Sequence, residues 1–107
     1  MQQHDVVVVG GGIAGSALAG VLAAAGVDVL LLERQVQFRD KVRGEYMHPW
    51  GVAEAQRLGV VDALLDAGGG YTTAMATYGE DVDPTVAATM AVTLGLLVPD
   101  VPGGLCV

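Results

Sequence analysis

The amino-acid sequence predicts an α/β fold, a parallel sheet with flanking helices, of which the chain carries an incomplete part. Three observations predict it. Four consecutive valines, Val6, Val7, Val8 and Val9, run directly into Gly10, Gly12 and Gly15, spaced as G-x-G-x-x-G. Small and apolar residues with helical periodicity then occupy positions 13–25, and a second apolar run at 28–32, DVLLL, ends in Glu33. Strand, glycine turn, helix, strand and terminal acid in that order fill about 30 residues, the length of one βαβ unit.

Each element follows from its residues. The uninterrupted β-branched run suits a parallel strand buried on both faces. Gly10 permits a tight turn, Gly12 has no Cβ and lets a pyrophosphate approach the backbone, and Gly15 lets the helix pack close to the strand. The first-turn amides around Ile13 and Ala14 would then point at the phosphates, with the positive end of the helix dipole behind them. Glu33 follows Gly15 by 18 positions, near the spacing of about 20 residues for an acid that hydrogen-bonds an adenosine ribose. A carboxylate there would repel a 2′-phosphate, so FAD or NAD is favoured over NADP. The pattern is that of a partial Rossmann-like FAD/NAD(P)-binding fold, while Glu33 taken alone also reads as a solvated strand-end charge.

In the first helix, Ile13, Ala17 and Val21, with Ala14, Leu18 and Leu22, form a broad apolar face for the sheet, and Gly26 ends it. Pro49 suits the first turn of a second helix that runs toward Leu58 and stops at Gly59. A third, over 60–67, places Val60, Val61, Leu64 and Leu65 on one side and Asp62 and Asp66 on the other, and Gly68, Gly69 and Gly70 break it. Residues 71–78, YTTAMATY, read as a strand with imperfect alternation. Residues 80–84, EDVDP, read as an acidic turn. Positions 85–98 carry helix and strand signals in equal measure, and the tail PDVPGGLCV has the proline and glycine density of a turn. The chain therefore divides into a βαβ unit with a basic loop and following helices over 1–70, and a strand and turn region over 71–107 that leads toward a substrate domain outside it.

Composition narrows the function classes. Of the 107 residues 52% are hydrophobic, which excludes disorder by composition. The net charge of −7, from 12 acidic and 5 basic residues, argues against a nucleic-acid partner, which would need a basic face. Four of the five cations, Arg34, Arg39, Lys41 and Arg43, nevertheless cluster just after the second strand. A bound anion would explain the cluster; so would a solvated loop paired with Asp40 and Glu45. The single cysteine, Cys106, excludes an internal disulfide and reads as a buried thiol. Two histidines and one cysteine far apart in sequence suggest no metal cluster. Residues 6–27 lack charge over 22 positions, but their glycines and strand-to-helix switch argue against a membrane span. The leader MQQHD carries no basic residue, unlike a signal peptide. A cytoplasmic protein is expected, peripheral to a membrane if its substrate is a lipid.

With the glycine motif, the DVLLLER strand end and the segment RGEYMHPWGVAEAQRLGVVDALLDAG in place, the chain resembles the N-terminal part of FAD-dependent monooxygenases. That group includes para-hydroxybenzoate hydroxylase, ubiquinone-biosynthesis hydroxylases and squalene epoxidase. The resemblance covers residues 5–69 and weakens beyond. It implies that Gly10, Gly12 and Gly15 hold the FAD pyrophosphate, that Glu33 holds the ribose, that Arg34 flanks the adenine end, and that Arg43 lies near the phosphates and ribityl chain. A guanidinium keeps its charge and presents fixed donors, which suits Arg43 to a pyrophosphate; pairing with Glu45 is the alternative. The later D-G and G-D segments of such enzymes are absent, so the chain reads as a fragment to which no catalytic residue can be assigned.

The resemblance implies that the parent enzyme uses NAD(P)H and oxygen to hydroxylate or epoxidise a small organic substrate, aromatic or isoprenoid and lipid-like. A FAD-dependent reductase like geranylgeranyl reductase, or a flavin-dependent halogenase, fits this N-terminus nearly as well. A third reading makes the 107 residues a non-catalytic nucleotide-binding stump. A plain NAD-dependent dehydrogenase fits less well, because of the basic loop and the R-G-E segment.

Overall fold

The computed structural model describes residues 1–37 and 46–106. By internal contacts the chain divides into two compact units, Met1–Val42 and Arg43–Val107.

The first unit is strand, helix, strand. Strand β1 (Val6–Val9) leads through the glycine turn into α1 (Ile13–Ala24) and back to β2 (Val29–Leu32). The strands pair in parallel, Val6 opposite Val29 and Val9 opposite Leu32. At the base, the Asp5 amide donates to the Asp28 carbonyl at 3.0 Å, the Asp28 amide to Asp5 Oδ2 at 3.2 Å, and His4 Nδ1 lies 3.1 Å from Asp28 Oδ1. Helix α1 ends as expected at Gly26, whose φ of +84° lets the Gly26 and Val27 amides turn back to the carbonyls of Ala23 and Leu22.

Two packing expectations fail in this unit. Val8 is buried, but Val7 is 52% and Val9 81% exposed, because among the described residues a helix covers only one face of a two-stranded sheet. The helix also meets the sheet along a different stripe. Ala19 is buried and Gly15 packs on the strand, whereas Ile13 (90% exposed), Leu18 and Val21 face outward. Close approach selects the smallest side chains for the contact line, and the larger apolar ones are left outside it.

The second unit contains β3 (Tyr46–Met47), α2 (Pro49–Arg57), α3 (Val61–Asp66), β4 (Gly70–Thr72), β5 (Ala74–Met75), α4 (Pro84–Thr89), β6 (Val92–Thr93), a 3-10 turn (Leu94–Leu96) and β7 (Gly104–Cys106). Strand β7 is central in an antiparallel sheet of order β3-β7-β4, and β5 pairs with β6. The core is Val52, Val101 and Leu105, flanked by Met47, Leu64, Leu65 and Val98. The second and third helices stand where the sequence places them, each ended by a glycine with positive φ, Gly59 and Gly68.

Three readings of this region are corrected and an open one is decided. The run 71–78 is two short strands in different sheets, broken at Thr73. Segment 85–98 contains a helix, a strand and a 3-10 turn in succession. The glycine-rich tail is a turn only in part, since 104–106 forms the central strand. There a Cβ at Gly103 would overlap the Thr72 carbonyl and one at Gly104 the Tyr46 ring, so the glycines serve close strand contact. Cys106, expected to be buried, is exposed, with Sγ 3.3 Å from Thr72 Oγ1, because alternate residues of a strand face opposite sides and Leu105 takes the core position. Among the described residues no helix is long and apolar enough to cross a membrane; 6–27 divides into β1 and the 12-residue α1.

Candidate cofactor site

The site lies at the turn from β1 into α1. Gly10 has φ +103°, a conformation closed to most L-residues, and its amide donates to the Leu32 carbonyl at 2.7 Å, extending the parallel ladder by one rung. Its own carbonyl faces α1, where a Cβ on Gly15 would overlap it. Gly15 is thus glycine because helix and strand touch backbone to backbone. Gly12 has extended geometry ahead of the helix, and its carbonyl accepts from the Ser16 amide at 2.8 Å. A Cβ built on Gly12 meets nothing within 4 Å. The space beside Gly12 is therefore open, as close approach of a diphosphate to the main chain requires.

The helix starts at Ile13 without a side-chain cap. The N–H groups of Ile13, Ala14 and Gly15 belong to the first turn, which has no intrahelical acceptors, and the positive end of the dipole lies there. Ile13 and Ala14 are exposed. Such an end suits an anion.

Glu33, just past β2, reaches across to the loop. Its Oε2 accepts from the Gly11 amide at 2.6 Å and its Oε1 from the Gln35 amide at 2.7 Å. The Gln35 amide above all, then the Gly11 amide, with smaller help from Arg34, holds the carboxyl below the usual glutamate range. The group is ionised at neutral pH. A carboxylate offers about four lone-pair positions, so two amides leave acceptor capacity for sugar hydroxyls.

The structure brings Gly10, Gly12, Ile13, Ala14, Gly15 and Glu33 together at one end of the parallel pair. Arg34 is exposed in the bend beyond Glu33. Arg43 lies outside the described residues, with Arg39, Lys41, Asp40 and Glu45. Ser16 was missed by sequence reasoning: its Oγ donates to the Gly11 carbonyl at 2.8 Å. The available signal was a hydroxyl immediately after the third glycine, within reach of the loop's carbonyls.

The second unit offers less chemistry. An open recess of about 240 Å³ is lined by Gln56, Gly59, Val61, Asp62 and Tyr71. Elsewhere Trp50 stacks on His48 at 4.5 Å between ring centroids, and Tyr46 meets His48 edge-on at 4.9 Å.

A glycine turn, an open helix end and a loop-anchored acid define a dinucleotide-binding unit. The profile of the FAD binding domain family matches residues 3–97, and the chain belongs to that family, whose cofactor is FAD. Among curated proteins it is 32% identical to a squalene epoxidase of Schizosaccharomyces pombe, over 79% of this chain and 19% of that protein. It is 38% identical to squalene epoxidase 6 of Arabidopsis thaliana, over 74% of this chain and 16% of that one. With a menaquinone reductase of Mycolicibacterium smegmatis identity is 43%, over 74% and 19%. The chain thus spans less than a fifth of the length of these relatives.

Proposed function

We propose that this chain is the FAD-holding front of a flavin-dependent monooxygenase that uses NAD(P)H and oxygen to hydroxylate or epoxidise an organic substrate. The similarity to squalene epoxidases favours an isoprenoid or other lipid-like substrate, and so a cytoplasmic protein with peripheral membrane contact. The fold is then the first βαβ unit of a Rossmann-like parallel sheet, with residues 1–70 forming the cofactor unit and 71–107 leading toward the substrate domain.

In this reading Gly12, Ile13 and Ala14 present amides to the diphosphate, Gly10 and Gly15 shape the turn that exposes them, and Glu33 accepts from the adenosine ribose. Arg34 flanks the adenine end and Arg43 adds a guanidinium at the phosphates. When bound, FAD supplies the redox chemistry; these residues supply position and electrostatics. The 107 residues hold no catalytic group in this scheme and catalyse nothing by themselves.

The observation that carries the proposal is the open space beside Gly12 in front of the first-turn amides. Gly12→Ala tests it cleanly, because the added Cβ meets no protein atom and Gly12 has a φ of −71° that alanine accepts. Expected is loss of flavin from the purified protein, while the flavin-free variant melts close to the flavin-free parent; undiminished flavin binding would refute the site. Oxygen consumption on NAD(P)H addition to the full-length protein tests the reaction, and none at all would end the monooxygenase reading. The 43% identity to a menaquinone reductase favours a FAD-dependent reductase as the second reading, for which substrate reduction without oxygen is the expected result.

A further inference from the structure

We infer that Ser16 is a positioning residue for FAD: its hydroxyl fixes the rotation of the Gly11–Gly12 peptide and so aims the Gly12 N–H into the cofactor groove. The inference rests on the cofactor reading above and extends it to a residue outside the glycine motif.

Three glycines in succession, Gly10, Gly11 and Gly12, form the least restrained backbone a chain can make. Such a loop offers a defined set of amides only if something outside it holds each peptide. The Val9–Gly10 peptide is held by the Gly10 amide on the Leu32 carbonyl at 2.7 Å. The Gly10–Gly11 peptide is held by the Gly11 amide on Glu33 Oε2 at 2.6 Å. The Gly12 carbonyl accepts from the Ser16 amide at 2.8 Å. Between these lies the Gly11–Gly12 peptide, with glycine on both sides. Among the described residues its carbonyl is held by the Ser16 hydroxyl, at 2.8 Å.

A trans peptide points its C=O and N–H to opposite sides of the chain. Holding the Gly11 oxygen on the Ser16 hydroxyl therefore turns the Gly12 N–H away from that side of the chain, toward the space that the cofactor reading assigns to the diphosphate. Released, the peptide can rotate and offer its carbonyl oxygen to the same space. An oxygen there would repel a diphosphate. Ser16 thus lowers the ordering cost of binding rather than adding a contact to the ligand.

The test compares FAD affinity of the holoprotein and its variants, read by the change in flavin fluorescence on binding. Ser16→Ala is expected to weaken FAD by about three- to tenfold, the worth of one hydrogen bond, and Ser16→Thr, which keeps the hydroxyl, to stay within about twofold of the parent. Unchanged affinity in Ser16→Ala while Gly12→Ala loses flavin would overturn the role of Ser16 and leave the cofactor site standing. Equal losses in Ser16→Ala and Ser16→Thr would overturn it too, since space rather than the hydroxyl would then matter. Full flavin binding by Gly12→Ala would remove the cofactor reading itself, and this inference with it.

Discussion

Alanine substituted at two glycines of one helix should act in opposite directions. Gly15 and Gly20 both lie within α1, so each replacement gains the same intrinsic helix propensity, about 1 kcal/mol. At Gly20 a Cβ meets nothing within 4 Å, and the gain is realised: Gly20→Ala should stabilise by roughly 0.5–1 kcal/mol. At Gly15 the Cβ would lie 3.1 Å from the Gly10 carbonyl carbon, nearer still to its oxygen, and 3.4 Å from Val8 Cγ1. Both close atoms are backbone, and Gly10 is itself tied to Leu32, so no side chain can swing aside. Overpacking of this kind costs about 2–4 kcal/mol, which leaves a net loss of about 1–3 kcal/mol after the propensity gain. Relieving the overlap moves the start of α1 away from β1 and misdirects the first-turn amides, so FAD affinity should fall by more than about tenfold. Urea midpoints and flavin titration measure both effects. If Gly15→Ala proved as stable as Gly20→Ala, the account of backbone contact between helix and strand would be refuted.

Further outcomes follow from three named residues. Glu33→Gln cannot accept from both the Gly11 and Gln35 amides, since one side of its amide is a donor, and should weaken FAD by about tenfold. Because the folded-state pKa of Glu33 is lowered from its usual 4.5, its stabilisation is complete above that value and lost as pH falls through the lower folded one; melting followed from pH 6 to 3 should show a shallower acid decline in Glu33→Gln, and equal declines would contradict this. Leu105, fully buried in the central strand β7, should cost about 2–5 kcal/mol when cut to alanine, read as a urea midpoint; a change under about 1 kcal/mol would argue that the core lies elsewhere. Asp83 accepts from the Thr85 amide at 2.8 Å at the start of α4, so Asp83→Ala should quicken hydrogen exchange at Thr85 roughly fivefold while Asp83→Asn changes it little.

The first 33 residues were legible because each signal there is local. Val6 to Val9 make a strand, Gly10 a turn and Gly26 a helix end with no help from distant residues. The helix boundaries at Pro49, Gly59 and Gly68 were legible for the same reason. The stripe of α1 that meets the sheet was not, because apolar periodicity says which residues avoid water, whereas contact distance selects Gly15 and Ala19. Beyond Gly70 local signals conflict: Gly103 and Gly104 read as a turn until Thr72 and Tyr46 are placed against them.

Sequence by itself determined the class of ligand, since G-x-G-x-x-G between a strand and a helix with an acid after the next strand is a local chemical pattern. Tertiary structure alone decided what holds that pattern in shape. Glu33 meets Gly11 from beyond the second strand, 22 positions away, and no propensity encodes a hydrogen bond between groups that only folding brings together.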